Sequence, residues 1–102
     1  MRLTEFQLKT IKESFLEHFE KTDHLWLFGS RVDDNKRGGD IDLYIETPCE
    51  DTSLIVKREL KFYSQLQRKL GEQKIDIVIN ILPLNQQLRI FDEARKTGIQ
   101  LI

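Results

Sequence analysis

Apolar residues at Leu8, Ile11, Phe15 and Phe19 recur at helical intervals and define one stripe. Thr4 and Gln7 stand ahead of it at capping-box spacing, with Leu3 and Leu8 where a hydrophobic staple would place them. The pattern predicts an opening helix with that stripe toward the core. LWLFG, Leu25 to Gly29, then reads as a short buried strand ended by the Gly29-Ser30 turn. The polar run RVDDNKRGG, Arg31 to Gly39, is a loop with room for one helical turn capped by Ser30. DIDLYIE, Asp40 to Glu46, alternates and is rich in strand formers, so it predicts a second strand. A loop broken by Pro48 leads to a helix from Ser53 to Leu70. Val56, Leu60, Tyr63, Leu66 and Leu70 should face inward there, and Gly71 offers a C-terminal cap. KIDIVIN, Lys74 to Asn80, has β-branched residues at four of seven positions and predicts a third strand. After Pro83, Asn85 can cap a last helix with Leu88, Phe91 and Ala94 inward; Arg95 and Lys96 suit its negative end, and Gly98 stops it. The predicted order α-β-β-α-β-α is a small α/β domain, with a sheet of about three strands packed against helices.

Composition narrows the function classes. At 102 residues the chain is read as one domain, 1–102, with room for one core and one site but no second substrate-recognition domain. Sixteen basic residues balance seventeen acidic ones, so no footprint for direct nucleic-acid binding is present. The apolar runs are far too short to cross a bilayer and the N-terminus is no signal peptide, so a cytoplasmic location is expected. The single cysteine, Cys49, excludes an intramolecular disulfide and reads as a loop thiol. His18 and His24 have no cysteine partners, which argues against zinc. Trp26, Phe62 and Tyr63 fit an interface or the core, with core the default for aromatics at these spacings.

The informative feature is acid inside apolar strands. In Asp40-Ile41-Asp42-Leu43 the two-residue period puts both carboxylates on one face, with Ile41, Leu43 and Ile45 on the other. Asp76 repeats the anomaly between Ile75 and Ile77. Aspartate disfavours strands, and two like charges side by side oppose ionisation unless a cation lies between them. Each element alone reads first as a solvent-facing pair, with Asp76 partnered by Lys74 or Arg37. Together, three converging carboxylates match the hard-oxygen preference of magnesium. A two-metal site about 4 Å across can stabilise both oxygens of an in-line displacement at phosphorus. Gly29-Ser30, a turn directly after a strand, exposes donors suited to phosphate oxygens.

LFGSR, nine residues from Arg31 to Gly39, DIDLYI and then KIDIVI resemble the minimal nucleotidyltransferase group of the DNA polymerase β superfamily. The direct match runs from Leu25 to Asn80. The resemblance implies a palm-like mixed sheet. It also implies that Asp40, Asp42 and Asp76 are catalytic metal ligands for magnesium (two ions, with manganese as a substitute), Asp76 also assisting deprotonation of the acceptor. Gly29 and Ser30 would hold the β- and γ-phosphates of ATP or another nucleoside triphosphate. Many relatives read GSRxRG, whereas here the second arginine position is Asp33; Arg31 remains, and Lys36 and Arg37 are the candidates to supply the missing positive charge.

The same resemblance suggests an acceptor. Similar short proteins often act as antitoxins beside a helical HEPN-type ribonuclease toxin, transferring AMP to a toxin tyrosine. Two other readings stand beside it: a module that neutralises its partner by binding, with little catalysis, and a transferase to a small hydroxyl compound such as an antibiotic. A homo-oligomer is compatible with each.

Overall fold

The computed structural model describes residues 1–33, 39–71 and 73–102. Helix α1 (Glu5–His18) is followed by β1 (His24–Phe28), a 3-10 turn (Gly29–Val32), β2 (Ile41–Thr47) and α2 (Thr52–Leu70). Then come β3 (Ile75–Ile81), a second 3-10 turn (Leu82–Leu84), α3 (Arg89–Thr97) and β4 (Ile99–Gln100). The sheet runs β3-β2-β1-β4, with β2 parallel to β3 and antiparallel to β1. This is the mixed α/β architecture expected, extended by one strand. The two-residue β4 pairs Trp26 with Gln100 and Leu27 with Ile99, and it arises from backbone pairing rather than from any alternation in its own residues.

Both faces of the sheet are covered, which explains the unbroken apolar run in β1. Leu25 and Leu27 of β1 join Ile41, Leu43 and Ile45 of β2 beneath α1 and α2, with Ile11, Phe15, Phe62 and Leu66 in the same core. Trp26, Phe28 and Tyr44 point the other way and meet Phe91 and Ala94 of α3. The capping box forms as expected: Gln7 N–H donates to Thr4 Oγ1 at 3.0 Å and Thr4 N–H donates to Gln7 Oε1 at 2.9 Å. Gly71 ends α2 with φ of 80°. No helix among the described residues is long and apolar enough to cross a membrane.

Two helical faces depart from expectation. Helix α2 buries Ile55, Phe62, Gln65 and Leu66, whereas Val56, Leu60 and Tyr63 remain exposed. The helix carries two apolar stripes, both at legitimate spacing, and packing against α1 selects between them. Gln65 decides the phase: its amide donates to Ser14 Oγ at 3.1 Å and Glu17 Oε2 at 2.9 Å, and its carbonyl oxygen meets His18 Nε2 at 2.6 Å. That network engages His18 with α2. In the last helix Asn85 is no cap. Leu82 and Pro83 open the 3-10 turn, and Asn85 ends it at φ of 52°, a conformation that asparagine tolerates better than most residues. Helix α3 begins at Arg89, with Leu88 at its N-cap, half exposed and making no side-chain capping bond.

Candidate active site

The parallel register of β2 and β3 sets Asp42 directly beside Asp76. Asp40 lies just ahead of β2. One carboxylate oxygen from each of Asp40, Asp42 and Asp76 falls within 4.8 Å of the others, so the structure brings the three predicted residues together. Asp42 faces the α3 side of the sheet because Ile41 and Leu43 are held in the opposite core. The carboxylates are thus positioned by burial of their neighbours.

Burial, and then the charges of Asp76 and Asp40, raise the Asp42 carboxyl above the ordinary aspartate value. Lys74 partly compensates from outside, with Nζ 3.3 Å from Asp40 Oδ2. Its hydrogen bond to Asp40 and the surrounding negative charge raise the Lys74 ammonium in turn. The lysine thus partners Asp40, where sequence spacing had suggested Asp76. The donor set of hard, mutually repelling oxygens fits a divalent cation, since bringing positive charge among them relieves the repulsion that raises Asp42.

The Gly29-Ser30 turn is built against this cluster. Antiparallel pairing sets Phe28 opposite Asp42, and Gly29 follows at φ of 77°. A Cβ at Gly29 would run into Asp42 Oδ2 and lie 3.1 Å from its Cγ. Glycine therefore serves both the backbone turn and the close approach of the carboxylate. A Cβ at Gly39 would likewise run into Ser30 Oγ, so the returning chain is held against the same turn.

Arg31 sits at this turn, but its guanidinium is engaged with backbone. NH1 donates to Arg2 O at 2.9 Å, and Nε donates to Gly39 O at 3.3 Å. Arg2 answers from the N-terminal segment. Its Nε donates to Asp33 O and its NH2 to Ser30 O, both at 2.8 Å, while its backbone N–H donates to Arg31 O at 2.6 Å. Arg2 is a clamp on the turn that the sequence did not announce, because its partners lie some thirty positions away and no local pattern links them. Lys36 and Arg37 lie outside the described residues.

A groove of about 360 Å³ runs from Gly29 and Ser30 to Glu93 and Thr97 of α3. Farther along the carboxylate face, Tyr44 donates to Glu46 Oε2 at 2.7 Å and accepts from Asn80 Nδ2 at 3.1 Å. Burial, the largest influence, pushes the Tyr44 phenol up to about 12, so this hydroxyl stays protonated. Arg95 Nε stands 3.3 Å from the same Glu46 oxygen and over the Trp26 ring. The network locks β2, β3 and α3 together beyond the site.

Residues 9–102 match the family described as Polymerase beta, Nucleotidyltransferase. The chain belongs to that nucleotidyltransferase family. No curated protein matches it. The family match of this nucleotidyltransferase domain covers the Gly29 turn, Asp40, the strand that carries Asp42 and the strand that carries Asp76. The family carries general nucleotidyltransferase activity, and Asp40, Asp42 and Asp76 form an acidic trio that could hold a metal ion.

Proposed function

We propose that this nucleotidyltransferase transfers AMP from ATP to a tyrosine hydroxyl of a HEPN-type ribonuclease toxin, and so acts as the toxin's antitoxin. The observation carrying the chemical part is the Asp42–Asp76 register, which converges three carboxylates beside a glycine-serine turn. In the reaction the acceptor oxygen bonds to the α-phosphorus, the bond from that phosphorus to the β-phosphate bridging oxygen breaks, and pyrophosphate leaves with the electron pair. Asp76, the most exposed of the three, is open to an incoming hydroxyl and is the residue assigned to assist its deprotonation. Asp40, Asp42 and Asp76 would hold magnesium, which when bound neutralises charge on the phosphate oxygens. Gly29 and Ser30 would orient the β- and γ-phosphates, with Lys36 and Arg37 as further positive charge. The toxin as acceptor rests on the family resemblance alone.

The test is incubation with a HEPN partner, α-labelled ATP and magnesium. Label should enter the partner with wild-type protein and not with Asp42→Asn. An unlabelled partner, or label that persists with the variant, would overturn the proposal.

A second reading is favoured by the engagement of Arg31 with Arg2 O and Gly39 O, together with Asp33 at the second arginine position. Here the chain neutralises its partner by binding, with little phosphate chemistry. An Asp40→Asn/Asp42→Asn double variant that still neutralised the partner fully would select this reading over the first.

A further inference from the structure

We propose that the chain forms a two-fold dimer through the open edge of β3, joining two sheets into one of eight strands. Strand β3 is the end strand of the sheet, and among the described residues nothing pairs with its outer side. Backbone groups of successive strand residues point to opposite sides. The Lys74 carbonyl accepts from Ile41 N–H at 3.0 Å, so the even-numbered residues of β3 turn their backbone groups toward β2. Those of Ile75, Ile77, Ile79 and Ile81 point outward. A seven-residue edge strand with isoleucine or valine at five positions and no proline or lysine is a template for another strand.

The occupant is argued from the strand's own sequence. Ile75-Asp76-Ile77-Val78-Ile79-Asn80-Ile81 reads nearly the same in both directions about Val78. Antiparallel pairing about that centre sets Ile75 against Ile81 of the second copy, Ile77 against Ile79, and Val78 against itself. The residues with outward backbone groups then face one another, as a hydrogen-bonded ladder requires. The polar pair also matches. Asp76 meets Asn80 of the second copy on the carboxylate face of the sheet, a carboxylate opposite an amide. Asn80 spends one amide hydrogen on Tyr44 and has a second to offer. No like charges oppose each other.

Helix α2 supplies the second half of the surface. Arg58 bonds Glu20, and Gln65 bonds Ser14, so those positions face α1. On the other flank Gln67 Nε2 donates to Gln73 O at 2.7 Å, close to the start of β3. Val56, Leu60 and Tyr63 share that flank at helical spacing and are 52%, 60% and 40% exposed. A two-fold axis through Val78, normal to the sheet, brings this stripe toward its copy beneath the paired strands. Leu60 also borders the basic face of the helix, where it lines a groove with Lys61, Ser64 and Arg68. An isologous contact of this kind closes after two chains. Both carboxylate sites then open on the same face of the joined sheet, each with Asn80 of the second copy beside Asp76.

Sedimentation of the whole chain in metal-free buffer tests this. Wild type is expected at twice the 12.1 kDa chain mass. Asn80→Asp sets two like-charged pairs across the axis and should raise the dimer Kd by about tenfold. The exchange Asp76→Asn/Asn80→Asp restores complementary pairs and should recover dimerisation. Leu60→Glu/Tyr63→Glu, at exposed positions of α2, should give a monomer with an unchanged circular dichroism spectrum. A monomeric wild type overturns the proposal, as does a dimer indifferent to both Asn80→Asp and the α2 variant. Failure of the exchange to recover a dimer that Asn80→Asp had weakened overturns the register.

Discussion

Replacing Gly29 by alanine asks whether the turn after β1 and the carboxylate cluster form one unit. The backbone there has φ of 77°, which costs a residue with a Cβ about 1–2 kcal/mol. The new methyl would also overlap Asp42 Oδ2 and lie 3.1 Å from Asp42 Cγ. The obstacle is a side chain, so Asp42 gives way before the backbone does. A shift of about 1 Å in one of three converging oxygens is enough to cost roughly a hundredfold in transfer rate. Gly71→Ala is the control. It shares positive φ, at 80°, but has nothing within 4 Å of the added methyl. It should lose about 1–3 kcal/mol of stability with no effect at the carboxylates. Urea unfolding of both variants measures the backbone cost, and calorimetric titration with manganese measures the cluster. Gly29→Ala should weaken manganese binding and Gly71→Ala should not. Wild-type metal affinity in Gly29→Ala, or equal weakening in Gly71→Ala, would refute the coupling.

Asp42→Asn should abolish manganese binding yet raise stability in metal-free buffer by up to about 1 kcal/mol after solvent screening, because a half-buried charge facing two others is removed; a lower urea midpoint would contradict this. Burial raises the Glu59 carboxyl above its ordinary value of 4.5, so the folded chain binds that proton more tightly than the unfolded chain. The stability this contributes at low pH is lost as pH rises through the raised value. Glu59→Gln should therefore match wild type in acid and exceed it near neutrality by a few tenths of a kcal/mol, and parallel pH profiles from urea unfolding would refute it. Phe62 is fully buried, with its ring centre 5.8 Å from that of Phe15 and 5.7 Å from that of Phe19. Phe62→Ala should lose about 3–5 kcal/mol by urea unfolding, and a loss below about 1 kcal/mol would show that this residue is not the anchor of α2.

Local chemistry made much of this protein readable from its residues. The capping box at Thr4 and Gln7 forms because its partners are three positions apart. The strand at Ile41 alternates because one face must enter a core, and that alternation sends Asp42 out on the other. Asp76 between isoleucines was legible only in combination, because an exposed acid on a strand reads by itself as a surface residue. Arg2 was not legible, because its hydrogen bonds to the turn span about thirty residues. Strand β4 was not either, for it consists of backbone pairing with β1.

Sequence by itself determined which residues are acidic and that Asp42 and Asp76 lie within strands, while Asp40, read as the first strand residue, falls just ahead of β2. Tertiary structure decided the rest. The Asp42–Asp76 register depends on how β2 and β3 align, and the phase of α2 depends on Gln65 finding Ser14, Glu17 and His18 on α1. Helical periodicity permits both the Ile55–Phe62–Leu66 stripe and the Val56–Leu60–Tyr63 stripe. Only packing, which must bury one and leave the other to solvent or to a second chain, distinguishes them.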